Sequence, residues 1–419
     1  MKIRRFLYGS IIVMLTLCIV LSGWLMIQAS QEKNAPADVL LEVPTTEATL
    51  DATTEVTEET TEETTAPTVP ADPITVAIFP NLPDLYLCYD ILTQMWEDIE
   101  PDVELEFVYW NCYTDPYPEQ IDVITYDALF LDYLVEYGYI QPMDPDSVQD
   151  TTGILPFAME GSRYDGELYG LPFLACSNFL IHYADDEELA QVQSFEELYD
   201  VLSYRHEWDP YDGLQIDYNG DFPFFYLDAL MDYYDTYTTY EEAPSMYEPN
   251  ETLIEHFLAI ETLIPEASDE TYGWEHTSRF AQGEGSACYG FSESLYDMDE
   301  MVDYLSIRSI SFFEGDNIPL YFADIASVGS HVTDPEQKEA CIKLINLLAS
   351  VEFQAALCYG TGDVQYLLPA REQVYLGAME HYPMYEELYK LATDENNRIF
   401  RFNSDIYDYM DEAYSILEY

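Results

Sequence analysis

Basic side chains are scarce: 14 Lys and Arg stand against 81 Asp and Glu, a formal net charge of -67 over 419 residues. A field of that sign repels nucleic acid and anionic lipid and draws in cations, which argues against nucleic-acid binding as a function class. Histidine is also sparse, six in all with no HExxH and no paired spacing, which speaks against a catalytic metal. The seven Cys are dispersed and no CxxC occurs, so zinc-ribbon and thioredoxin-type motifs are absent. There is no GxSxG elbow, since Gly290-Phe291-Ser292-Glu293-Ser294 ends on Ser where Gly is needed. Internal repeats are missing too. At this length a core forms without disulfide staples, although one incidental bridge is left open.

Apolar and aromatic residues are plentiful: 48% of the chain is hydrophobic and 38 residues are Tyr. Lys2, Arg4 and Arg5 precede an almost wholly apolar stretch from Phe6 to Ala29, long enough to cross a bilayer with its N-terminus in the cytoplasm. Residues 1–29 are therefore a signal-anchor or a signal peptide cleaved near Ala29. Leu17 before Cys18 does not suit a lipoprotein site. Residues 30–73 are rich in Thr, Glu, Ala and Pro, too poor in apolar side chains to fold and kept extended by like charges. The expectation is an exported domain, 74–419, secreted or held at the cell surface by a disordered tether.

Ordered structure is expected from Ile74, where Ile74-Thr75-Val76-Ala77-Ile78 reads as a strand. Helical spacing runs from Leu85 to Ile99, and Val103, Leu105, Phe107 and Tyr109 alternate as a second strand. Asp122 to Tyr126 forms a third, leading into another helix. This β-α-β-α order predicts an α/β domain with a largely parallel sheet and a ligand beyond the strand carboxyl ends. Phe195–Leu202 and Leu227–Tyr237 read as helices within an acidic, Tyr-rich region. Asp334-Pro335-Glu336 starts a helix that runs on through Ala340 to Leu357.

Tyr164-Asp165-Gly166-Glu167 carries an Asp-Gly turn signal, so the apolar run Gly170–Asn178 reads as the returning arm of a hairpin. That arm bears one thiol, Cys176. A Cys in such a setting is by default a small buried hydrophobe; it becomes a nucleophile only where a base can take its proton. Glu293, after the Gly-rich segment Gln282–Ser286, is a candidate base if it ends a strand facing a cleft. On residues alone, an exposed loop Glu is the competing reading.

The order of elements, the Asp-Gly-x-Leu-Tyr-Gly-Leu-Pro hairpin and the Asp-Pro-Glu helix followed by Ala349-Ser350-Val351-Glu352-Phe353-Gln354 resemble the type II, two-lobed extracellular solute-binding fold. That resemblance implies a ligand cleft between lobes, one of about 74–180 plus 316–360 and the other of about 181–315 plus 361–419. It does not separate a receptor from an enzyme built on the same lobes.

A narrower resemblance extends from about Ile74 to the C-terminal helices. Phe107–Tyr113, Tyr126–Leu131, Leu155–Ala158, Gly170-Leu171-Pro172 with Cys176, Phe280–Gly283, Phe291–Ser294, Pro319–Asp324 and Tyr366–Arg371 are similar, in order, to thiaminase I (thiamine pyridinylase). The resemblance implies Cys176 as nucleophile and Glu293 as general base. It places pocket acids at Asp127 and Asp324 and a pocket Tyr at Tyr113. It implies a transferase that cleaves thiamine by attack on the pyrimidine, releases the thiazole and passes the pyrimidine to an external amine or thiol. No metal or organic cofactor is needed, and a monomer is expected. Where that family has pocket Tyr residues, this chain has Phe79, Asn81, Trp274, Phe291 and Phe322. Four of the five keep an aromatic face for the substrate but lose the phenolic hydroxyl. These departures bear on substrate and rate rather than on fold.

Two other readings compete with the enzyme. One is a binding protein that delivers an aromatic or cationic nutrient, with Cys176 merely lining its cleft. The other is a surface adhesion or scaffold protein, suggested by the anchor and the acidic tether.

Overall fold

A computed structural model of the chain describes residues 72–208, 212–234, 250–265, 275–312, 319–360, 362 and 364–416. The apolar segment 1–29, nearly all of the 30–73 tether and Trp274 lie outside the described residues.

Thirteen strands are described. In chain order they are β1 (Ile74–Ile78), β2 (Leu105–Tyr109), β3 (Val123–Asp127), β4 (Arg163–Tyr164), β5 (Glu167–Leu168), β6 (Gly170–Cys176), β7 (Asn178–Tyr183), β8 (Leu214–Ile216), β9 (Ala287–Phe291), β10 (Leu305–Arg308), β11 (Leu320–Val328), β12 (Leu368–Pro369) and β13 (Arg398–Ile399). The larger sheet runs β12-β6-β11-β3-β1-β2, with β13 pairing β11. The smaller runs β10-β7-β9-β8, and β4-β5 form a separate ribbon.

Two expectations about the sheet need correction. It is mixed rather than largely parallel: β1 pairs β2 and β3 in parallel, whereas β11 runs antiparallel to both β3 and β6. The Asp165-Gly166 turn closes a ribbon of only two residues a side, and Gly170–Cys176 is not its returning arm. Both turn residues have positive φ, 49° and 83°, as a tight two-residue hairpin requires. The apolar run instead enters the larger sheet between β11 and β12. Six of its seven residues are buried, which suits a central strand covered on both faces.

At Ser177 the chain leaves the larger sheet and at once begins β7 of the smaller one. The Ser177 hydroxyl donates to the Leu320 carbonyl at 2.8 Å, pinning the crossing to the start of β11. Strands β12 and β13 join the larger sheet, whereas the expected grouping places 361–419 with the second lobe. The final helix of that stretch, Ile406–Ile416, packs on the helix Tyr218–Tyr234.

The helix expected through Leu357 is two, Pro335–Leu348 and Val351–Tyr359, bent by 52°. Ser350 makes the break: its side chain accepts from the Phe353 amide at 3.1 Å and caps the second helix. Ser350→Ala should lower unfolding free energy by about 1 kcal/mol, read as a shifted urea midpoint at constant m. The helix expected at Leu227 starts earlier, at Tyr218, with Pro223 inside it. The first lies where expected but runs on, from Phe195 to Trp208.

Candidate active site

The carboxyl ends of β1, β3, β6 and β9 lead into one cavity of about 210 Å³, and β11, running the other way, contributes its first half. Phe79 follows β1 directly, Asp127 ends β3, Cys176 ends β6, and Phe291 ends β9 with Glu293 two residues on. This is the place expected for a ligand in an open α/β sheet.

Strand register explains the grouping. Phe322 lies opposite Cys176, and Asp324 lies between Asp127 on β3 and Leu174 on β6. Alternation then turns Cys176, Phe322, Asp324 and Asp127 to one face. Glu293 arrives from the other sheet: β9 pairs β7 with Phe291 opposite Asn178, just past the Ser177 crossing. The crossing thus brings a thiol and a carboxylate 117 positions apart in the chain into the lining of one cavity (176 and 293).

Asp127 is buried; its carboxylate accepts from the Tyr113 hydroxyl at 2.7 Å and from the Leu129 amide at 3.0 Å. Burial pushes its carboxyl up to about 7 in spite of both hydrogen bonds. Glu293, also buried, accepts from the Ser292 hydroxyl at 2.7 Å and is pushed up to about 7, again by burial. Asp324 is raised well above the carboxylate range by burial and then by Asp127 and Glu293. Burial raises the Cys176 thiol well above its usual value, and the carboxylates of Glu293, Asp324, Asp127 and Asp221 raise it further. The cavity therefore favours a neutral thiol at Cys176 and places two carboxyl groups, Asp127 and Glu293, near neutrality.

Aromatic faces complete the lining. Phe79 lies 5.6 Å from Tyr113 between ring centroids, and Phe291 lies 5.8 Å from Phe322 in an edge-to-face contact. Of the site residues expected from sequence, Cys176, Glu293, Asp127, Asp324, Tyr113, Phe79, Phe291 and Phe322 line this cavity; Trp274 lies outside the described residues.

Asp217, Asp221 and His276 also line it and escaped the sequence reading. Asp217 precedes the helix Tyr218–Tyr234 and accepts from the Gly220 amide at 3.0 Å. An Asp-x-x-Gly helix start was the available signal, but it is one acid among many in that region. Among the described residues, no group of three or more His, Cys, Asp or Glu is arranged to hold a metal ion.

Similarity to known proteins extends over most of the chain. A family model described as the Thiaminase-1 domain matches residues 177–313. Thiaminase-1 of Paenibacillus thiaminolyticus is 33% identical over 361 residues, covering 82% of this chain and 87% of that protein. The structure of Clostridium botulinum thiaminase I in complex with thiamin superposes with a TM-score of 0.77 at 29% identity, over 82% of this chain and 98% of that one. A maltose-bound T. maritima MalE3 shares the fold alone, with a TM-score of 0.65 at 17% identity over 83% of this chain and 95% of that one. On these grounds the chain belongs to the thiaminase-1 family.

Proposed function

We propose that this chain is a thiamine-cleaving transferase whose nucleophile is Cys176 and whose general base is Glu293. The observation that carries the reading is the presence of that thiol and that carboxylate in one cavity walled by aromatic rings and acids. Glu293 takes the thiol proton, and the sulfur forms a bond to C6 of the pyrimidine. The adduct expels the thiazole, which leaves with the electron pair of the broken carbon–nitrogen bond and so departs neutral. An external amine or thiol bonds to the freed carbon, the sulfur–C6 bond breaks, and Cys176 recovers its proton. Asp127 and Asp324 hydrogen-bond the aminopyrimidine and stabilise its positive charge before the thiazole leaves. Phe79, Phe291 and Phe322 offer faces for stacking, with Trp274 assigned the same part from sequence.

Incubation of the 74–419 domain with thiamine and aniline is expected to release the thiazole alcohol and form the aniline exchange product, both read by chromatography. Thiamine recovered unchanged, with stoichiometric binding by calorimetry, would replace this reading with that of a receptor. The enzyme is proposed to act as a monomer outside the cell. The apolar segment Phe6–Ala29 would retain it at the surface unless cleaved, which the N-terminal mass of the mature chain decides.

A further inference from the structure

A second cavity, of about 310 Å³, adjoins the one that holds the thiol. Its walls come from the turn at 111–114, the start of the helix Tyr218–Tyr234 and the helix Ile406–Ile416. The two cavities share Asn81, Tyr113, Asp221, Phe291 and Phe322, so the second opens directly into the first. Its charged lining is Asp221 and Asp411; among the described residues, no Lys or Arg lines either cavity. Phe224, Tyr407 and Tyr414 add aromatic rings. The Tyr414 hydroxyl donates to the Gly220 carbonyl at 3.0 Å and the Tyr407 hydroxyl to the Cys112 carbonyl. Both hydroxyls are thus engaged with backbone, and the Tyr407 ring is held further by Phe130 and Tyr133 at 5.1 and 4.9 Å between centroids, so the aromatic wall is fixed in place. Rings of this kind around a carboxylate attract a cation and reject an anion.

In the transfer described above, the second reactant arrives after the thiazole has left, while the pyrimidine is held on Cys176. Its tail must occupy space continuous with the thiol cavity, and the annex is such a space. We propose that the annex is the site of the external nucleophile and that it selects amines or thiols bearing a fixed positive charge remote from the reacting atom. This rests on the transferase reading and names the co-substrate class for it. Burial and the neighbouring Asp217 push the Asp221 carboxyl well up, so a cation in the annex draws a proton off it.

Two isosteric nucleophiles test the proposal, (4-aminobenzyl)trimethylammonium and neutral 4-neopentylaniline, which differ in charge but not in shape. With saturating thiamine, the protein is expected to favour the charged one by about fivefold or more in kcat/KM. The preference should shrink towards unity in Asp411→Asn, a substitution at an exposed position that leaves folding intact. Equal use of both by the unaltered protein, or a preference unchanged in both Asp411→Asn and Asp221→Asn, would overturn it. If aniline is transferred but neither probe is, the annex does not take the nucleophile's tail and the proposal is overturned; if aniline is not transferred either, the transferase reading fails on its own. Calorimetry of the benzylammonium compound on Cys176→Ala then decides the annex: binding weakened by Asp411→Asn supports it, and no binding refutes it.

Discussion

Cys176→Ser is expected to lower thiamine turnover by on the order of 10⁴-fold or more while leaving thiamine binding and the melting temperature nearly unchanged. Serine fills less space than cysteine at the end of β6 and keeps the backbone pairing with Phe322. Its hydroxyl is far harder to deprotonate than a thiol, and the surrounding carboxylates oppose any anion at that position. Intact-mass spectrometry gives the second readout. Without added nucleophile, the unaltered protein should accumulate a pyrimidine adduct that peptide mapping places on Cys176, and the variant should carry none. Turnover in Cys176→Ser within tenfold of the unaltered protein would remove the thiol from the mechanism.

How much of this was legible in the residues differs from element to element. β1 and β3 could be read because each is a short run rich in β-branched residues, Ile74-Thr75-Val76 and Val123-Ile124-Thr125, and four of five and all five of their residues are buried. The fate of Gly170–Cys176 could not be read. Its composition announces a buried strand, but nothing in it says that β11, nearly 150 residues later, is one of its partners. The kink at Ser350 lay below the resolution of periodicity, because one hydroxyl capping Phe353 divides an otherwise continuous helical pattern. At the site, neither Cys176 nor Glu293 carries a local signature. Residues alone single out both as candidates beside blander readings, and only the resemblance pairs them, since what joins them is the passage of the chain between sheets at Ser177. Asp217, Asp221 and His276 had no such guide, and a carboxylate lining a cavity reads like any other of 81.

The charge pattern gives the pocket a role beyond attraction. Burial first, and then the neighbouring carboxyl groups of Glu293, Asp324, Asp127 and Asp221, push the Cys176 thiol up and so disfavour its thiolate. Thiamine brings a permanent positive charge, which offsets those carboxylates and favours both the thiolate and the ionised form of Glu293. Departure of the thiazole as a neutral species removes that charge and restores the acid-rich field. A second cation in the annex would then renew the stabilisation for the return half of the reaction.

Glu293→Gln separates the base from the other acids. It should lower kcat/KM for thiamine by about 10²–10⁴-fold, the usual range for a lost general base. Glutamine preserves size and can keep the contact with the Ser292 hydroxyl, so folding is spared. The pH profile assigns the loss. A base must be ionised to act, so in the unaltered protein kcat/KM should rise with pH and level off above about 7, where Glu293 loses its proton. Asp127 is also pushed up to about 7, and it is the rival for that limb. If Glu293 is the base, the residual activity of Glu293→Gln loses the inflection near pH 7, and in Glu293→Ala, which vacates the side chain's space, added formate restores part of the rate. If the inflection persists in Glu293→Gln and disappears instead in Asp127→Asn, the proton goes to Asp127, and Glu293 is reduced to shaping the field around the thiol.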